Sequence, residues 1–179
     1  GIIEARKLGA DILDSKIDLT IAGEQSSYLL MTQLLLGRFL FGLDDDPWKN
    51  DKEPAFLCAV PGFDRHFATL EGLGLKMHTV NLCSSGIDLD DLNKKLSKYP
   101  NIKGLICVPR HSNPSGEVFS DENITNLLKI TKEYNSSFIN LFDHAYLIHD
   151  FDETRVQTPI PLLADGLGAL DNVAVFTSF

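Results

Sequence analysis

The sequence predicts an α/β domain: a doubly wound, mostly parallel sheet flanked by helices on both faces. Four runs carry this expectation, Ala55–Val60, Gly104–Val108, Phe138–Phe142 and Val173–Thr177. Each is apolar almost without interruption, where a strand wet on one face would alternate, so each is expected to be buried on both faces. Stretches with helical spacing separate them, and strand alternating with helix calls for crossovers and parallel pairing. With 44% hydrophobic residues in 179, the chain can fill one sizeable core, and no repeat, low-complexity tract or linker divides it.

The elements follow in order. Ile2, Ala5, Leu8 and Ile12 recur at helical spacing and give an amphipathic first helix over residues 2–14. Ile17–Ile21 is expected to be a short strand. Ser26 or Ser27 then caps a helix running to about Phe41, whose Leu, Tyr, Met and Phe residues leave almost no polar face, so it should be covered on most sides. Asp44–Glu53, with Pro47 and a cluster of acidic residues, is expected to be a solvated loop. After the strand at Ala55–Val60 come a helix over 64–73, a weaker extra strand at Leu75–Val80 and a helix over 88–98 opened by Asp88. The strand at Gly104–Val108 and a helix over 121–133, opened by Ser120-Asp121-Glu122, follow.

Charge and cysteine usage narrow the function classes. A formal charge of -9, a pI near 4.9 and the lack of any basic stripe argue against nucleic acid or an anionic membrane as the main partner. A small solute or another protein is expected instead. Cys58, Cys83 and Cys107 lack metal-like spacing and read as small core residues in a reducing compartment. The opening Gly1-Ile2-Ile3-Glu4-Ala5-Arg6 shows no basic leader, and no stretch is apolar for the length of a membrane span, so the expectation is a cytoplasmic protein.

Chemistry gathers where the strands end, the edge at which open α/β sheets bind ligands. Ala22-Gly23-Glu24-Gln25-Ser26-Ser27 follows Ile21, Pro61-Gly62-Phe63 follows Val60, Asn113 follows Val108, Asp143 and Tyr146 follow Phe142, and Thr177-Ser178 follows Phe176. The Gly-led turn into a helix offers free backbone N–H groups and a positive dipole end to a phosphate, although any strand-to-helix turn needs a Gly and a cap. Phe63 can cover one face of a flat ring or simply pack in the core. A carboxylate at Asp143, where the sheet interior ends, needs a cationic partner or caps a turn. Asn113 and Tyr146 can both hydrogen-bond a phenolate oxygen across a ring from such a cation. Together the carboxamide, carboxylate and phenol suit a flat, phosphorylated heteroaromatic cofactor with one phenolic oxygen and one basic ring nitrogen. Asp64-Arg65-His66 most simply starts a surface helix, while its place after Phe63 makes it a candidate for substrate contact. His111, His144 and His149 occupy scattered loop positions unsuited to a metal site, so no metal is expected.

In this order the segments resemble the pyridoxal-phosphate-dependent aminotransferases of the aspartate aminotransferase fold type. They look most like a subgroup carrying only the general name aminotransferase, in which an Ala-Gly turn runs into a Ser-Ser-started helix and Pro-Gly-aromatic-Asp-Arg-His-Phe follows the next strand. The likeness covers essentially the whole chain, and Asn113-Pro114-Ser115-Gly116 with Asp143 and Tyr146 carries most of it. It implies that residues 1–179 are part of a cofactor-binding large domain. It also implies pyridoxal 5'-phosphate as cofactor, with Gln25, Ser26 and Ser178 on the phosphate, Phe63 stacked on the pyridine, Asn113 and Tyr146 on the phenolic oxygen, and Asp143 on the ring nitrogen. A cis Asn113–Pro114 bond is common in the family and is expected here.

The same resemblance implies an amino acid and a 2-oxo acid as substrates and a homodimer as the full-length form. Relatives continue past the position of Phe179 with Ser-Lys, the Schiff-base lysine, so no catalytic residue is expected within the chain and the chain alone is expected to be inactive. The small domain and the arginine that grips the substrate carboxylate are likewise expected outside it. Two alternatives stay open: a lyase or decarboxylase of the same fold, because one electron sink serves all of them, and a non-catalytic regulatory relative. His144 stands where many relatives have Glu or Asn, and Glu24 puts a negative charge beside the expected phosphate turn.

Overall fold

The continuously apolar runs do form the strands of a six-stranded sheet. The structure, a computed structural model, describes residues 1–43, 45–151 and 157–178. The strands are β1 (Ala55–Val60), β2 (Lys76–Cys83), β3 (Gly86–Ile87), β4 (Ile102–Cys107), β5 (Ile139–Asp143) and β6 (Val173–Phe176), and their order across the sheet is β3-β2-β1-β4-β5-β6. Every neighbour pairs in parallel except β2 with β3, a short antiparallel hairpin. Phe56, Leu57, Leu105, Leu141 and Phe142 have no exposure at all, and such burial stabilises by roughly 1.5–3 kcal/mol for each large side chain.

Helices cover both faces, as a doubly wound sheet requires. On one face α4 (Leu89–Lys98), α5 (Asp121–Tyr134) and α6 (Ile160–Gly166) pack through Leu92, Leu96, Ile124, Leu127, Leu128 and Ile160. On the other, α2 (Ser27–Phe41) and α3 (Asp64–Gly72) pack through Met31, Leu35 and Leu70 against Phe56, Cys58, Ile106 and Leu141. The first helix, α1 (Ile3–Leu13), precedes them. Local chemistry starts these helices where it was expected to: Ser26 Oγ accepts from Leu29 N, Asp88 from Asp90 N and Asp91 N, and Ser120 from Asn123 N.

Gly104 shows how tight the centre of the sheet is. A Cβ there would stand 2.3 Å from the Ile139 carbonyl oxygen and 2.5 Å from the Phe56 ring, so only glycine lets β4 approach β5 beneath that ring.

Several expectations are corrected. Ile17–Ile21 is not a strand; residues Ile17–Leu19 form a 3-10 turn, and the Arg6 guanidinium donates to the carbonyls of Ile17 and Thr20. A side chain satisfies those acceptors instead of a neighbouring strand, and Leu19 and Ile21 stay exposed. The helix α2 is less covered than its apolar composition implies, since Leu29, Leu36 and Phe41 face outward. Within the expected solvated loop, Trp48 turns inward, 4% exposed, and packs on Phe56 at 5.9 Å between ring centroids; Asp44 lies outside the described residues. Cys58 and Cys107 are buried, but Cys83 is exposed. The helix α6, the strand β3 and the 3-10 turns Trp48–Asn50 and Leu170–Asn172 went unanticipated. In α6 Pro159 precedes the helix and Pro161 sits in its first turn, where no N–H is needed. With two residues, β3 is too short to show a period, and the Asn123 side chain holds it by bonding both N–H and C=O of Ile87.

Candidate functional site

Parallel pairing brings the C-terminal ends of β1, β4, β5 and β6 to one edge, and the register aligns Asp143 with Phe176. Asp143 is the last residue of β5, one position deeper than a residue following the strand, and is only 5% exposed. His66 Nε2 donates to its Oδ2 at 2.9 Å. Its other oxygen, Oδ1, is buried and has no partner among the described residues. A buried carboxylate left half-satisfied costs free energy unless a donor, preferably cationic, meets it.

The placement of His66 follows from α3. Phe63 occupies the N-cap position in extended conformation, Asp64 and Arg65 fall on the exposed side, and His66 and Leu70, four residues apart, turn inward. The Phe63 ring meets the His66 ring edge-on, with centroids 5.2 Å apart and planes at 87°. Cys107, at the end of β4, is also buried here; burial and then the Asp143 charge push its thiol far up, so it stays protonated and unreactive.

Asn113 and Tyr146 come from different loops and meet: Asn113 Nδ2 donates to the Tyr146 hydroxyl at 3.2 Å. The Asn113–Pro114 bond is cis, as expected, and Val60–Pro61 is cis as well. Within the Asn113 loop, Ser112 N donates to Glu117 O, and Gly116 takes a left-handed φ of 83° that closes the turn. Successive turns, Leu147 N to His144 O and His149 N to Tyr146 O, shape the Tyr146 loop.

Gln25 and Ser26 precede α2, with Gln25 exposed and the Ser26 hydroxyl engaged as cap. The Tyr28 hydroxyl and Thr69 Oγ1 lie 2.5 Å apart, which ties the first turn of α2 to α3, the helix that carries Phe63 and His66. The Glu24 carboxylate at this turn has a partner of its own. Gln33 Nε2 donates to its Oε1 at 2.6 Å, drawing the carboxylate along the side of the helix, away from its N-terminus. Ser178 is exposed two residues past the end of β6, on the same edge as Asp143, while Phe179 lies outside the described residues. Because Ile17–Ile21 is not a strand, the Gly23 turn enters α2 from irregular chain and not from a fifth strand end.

A family model described as aspartate amino-transferase matches residues 1–179. The chain belongs to the aspartate amino-transferase family. It is 32% identical over 181 residues to an aspartate aminotransferase of Corynebacterium glutamicum, covering 99% of the chain and 41% of that protein. The crystal structure of an aspartate transaminase from the same species superposes with a TM-score of 0.88 at 30% identity, covering 99% of the chain and 42% of that structure. A C-S lyase of Staphylococcus hominis with bound pyridoxal phosphate shares the fold alone, with a TM-score of 0.72 at 19% identity over 99% of the chain and 44% of its own. The chain therefore spans about two fifths of the length of the curated relatives it matches.

Sequence reasoning in this aminotransferase-family chain missed the partner of Asp143. His66 looked like part of a surface helix, and the inward pairing with Leu70 was the signal that places it beneath the sheet edge. It also missed a second cluster, in which Asp150 takes Arg110 Nε at 2.9 Å, Arg110 Nη2, and His111 Nε2 at 2.7 Å. His144 is buried with Nδ1 unpartnered among the described residues; burial, then the Arg110 charge, pulls its imidazole down to about 4. Among the described residues no group of three or more His, Cys, Asp or Glu is arranged to hold a metal, and no helix is long and apolar enough to cross a membrane.

Proposed function

We propose that this chain is the cofactor-binding part of a pyridoxal-phosphate-dependent aminotransferase that moves an amino group between an amino acid and a 2-oxo acid. One observation carries the reading: Asp143 is buried, held on one oxygen by His66, and keeps Oδ1 free of any partner among the described residues. That oxygen suits a ring N–H⁺, and Asn113, Tyr146 and Ser178, which follow strands ending at the same edge, are donors that suit the remaining polar atoms of the cofactor. Bound, pyridoxal phosphate supplies an electron sink for the pair left when a substrate loses its α-proton.

The protein's own residues then have distinct tasks. Asp143 keeps a proton on the ring nitrogen through a charge-assisted bond, and His66 holds the carboxylate in place by occupying its second oxygen. Asn113 Nδ2 and the Tyr146 hydroxyl, which meet at 3.2 Å, would both donate to the phenolic oxygen. Phe63 would cover one ring face, while Gln25, Ser26, the N-terminus of α2 and Ser178 would receive the phosphate. The residue that moves the proton at the substrate α-carbon is assigned to none of these. The full-length protein is proposed to act as a homodimer in the cytoplasm.

Spectral titration of the full-length protein with pyridoxal phosphate tests the reading. Saturable binding that shifts the cofactor's visible band is expected, with conversion to the amine form on adding amino acids. Asp143→Ala is expected to abolish cofactor-dependent turnover, and normal turnover in that variant rejects the assignment.

A further inference from the structure

The loops that bring Asn113 and Tyr146 together are fastened to each other a second time. Asp150 lies four residues past Tyr146, and Arg110 and His111 lie just before Asn113. The Asp150 carboxylate accepts from Arg110 through both oxygens, Oδ1 from Nε at 2.9 Å and Oδ2 from Nη2, and Oδ1 also accepts from His111 Nε2 at 2.7 Å. A two-point arginine–carboxylate contact fixes orientation as well as distance. Arg110 is a poor candidate for a merely superficial ion pair, since its side chain is 9% exposed. Burial of that guanidinium without a counter-charge is costly, so Asp150 is needed where it stands.

The backbone between these groups and the site is constrained too. His111 adopts a left-handed φ of 51°, a conformation a non-glycine residue takes only when its surroundings impose it. Two residues later the chain reaches Asn113. Burial, Arg110 and His149 hold the His111 imidazole below its usual range, leaving it a neutral donor to Asp150. On the partner loop, Tyr146 is connected to Asp150 through a single tight turn, His149 N to Tyr146 O.

We propose that Asp150 is a positioning residue: by gripping Arg110 and His111 it holds the Asn113 loop against the Tyr146 loop and sets the spacing of the two donors aimed at the cofactor's phenolic oxygen. Asp150 itself touches no reacting atom. The role toward the cofactor rests on the pyridoxal phosphate reading, whereas the clamp between the loops rests on geometry alone.

The test uses the full-length protein and two variants, Asp150→Ala and the near-isosteric Asp150→Asn, which keeps volume and one acceptor while losing the charge. Backbone hydrogen exchange in the cofactor-free protein is followed over 109–117 and 144–150, with β1 and β4 as internal controls, and pyridoxal phosphate affinity is measured by equilibrium titration. Loss of a charge-assisted contact is expected to speed exchange in both loops together and to weaken cofactor binding by roughly ten-fold in Asp150→Ala, with a smaller change of the same kind in Asp150→Asn. The control strands are expected to keep their wild-type protection. Unchanged exchange in 109–117 in both variants overturns the clamp even if the cofactor binds normally. Faster exchange in both loops with unaltered cofactor affinity overturns the positioning role. If the wild type itself binds no pyridoxal phosphate, the cofactor reading fails and the role toward it falls too, while the exchange data still decide whether the clamp exists.

Discussion

Replacing His66 by Leu removes the donor to Asp143 while keeping most of the side-chain volume, so the hydrogen bond is lost without a large cavity. The contact is 2.9 Å long and both side chains are almost fully covered, 2% and 8% exposed, so water cannot take the vacated place freely. A hydrogen bond to a charged acceptor contributes about 1.5–3 kcal/mol, and the stranded carboxylate adds its own desolvation cost. His66→Leu and Asp143→Leu should each therefore destabilise the α3–β5 region by about 2 kcal/mol or more. The double variant, with both polar partners gone, should cost clearly less than the sum, giving a coupling energy near 2 kcal/mol. Native-state hydrogen exchange of amides in α3 and β5, measured in the cofactor-free full-length protein across a urea series, reads these local free energies. A coupling below about 0.5 kcal/mol, the level of independent distant sites, refutes the pairing as an energetic unit.

Two other perturbations bear on the same sheet edge and core. His144 is 3% exposed, and burial lowers its imidazole to about 4. The unfolded side chain takes up a proton below about pH 6.5 and the folded one only below about pH 4, so the unfolded state binds more protons between these values. Stability should fall as pH drops through that window, by up to about 3 kcal/mol, and His144→Asn should flatten the dependence; equal slopes for wild type and variant in denaturation series at pH 7 and 4.5 contradict this account. Gly104→Ala pushes a Cβ to within 2.3 Å of a carbonyl oxygen in β5. It should lower stability by about 3 kcal/mol, seen as a lower Tm and poor soluble yield, and a near-wild-type Tm shows that β4 and β5 can separate more easily than their packing implies.

The parts legible in the sequence are those that short-range chemistry controls. Uninterrupted apolar runs gave away strands, buried on both faces in β1, β4 and β5 but only half-buried in β6, which lies at the edge of the sheet; Ser26, Asp88 and Ser120 announced helix starts; and Asn113, Asp143 and Tyr146 were picked out because each follows a strand end. Ile17–Ile21 failed as a strand because its acceptors are met by Arg6, a residue read as part of a separate helix. The helix α6 was hidden by prolines that local propensity counts against it, although Pro159 at the N-cap and Pro161 in the first turn interrupt no helical hydrogen bond.

By itself the sequence determined the fold class, the places of β1, β4, β5 and β6 and of α1 to α5 along the chain, and that Asn113, Asp143 and Tyr146 lie at or beyond strand ends, because burial period, caps and strand-end chemistry are all written within a few residues. Only the tertiary structure decided which side chains meet: that His66 and Asp143, 77 residues apart, share a buried hydrogen bond, that Glu24 turns aside to Gln33, and that Asp150 grips Arg110 and His111. Those partners depend on strand order and register, which arise when separate elements bury their faces together, and no local pattern of residues encodes that meeting.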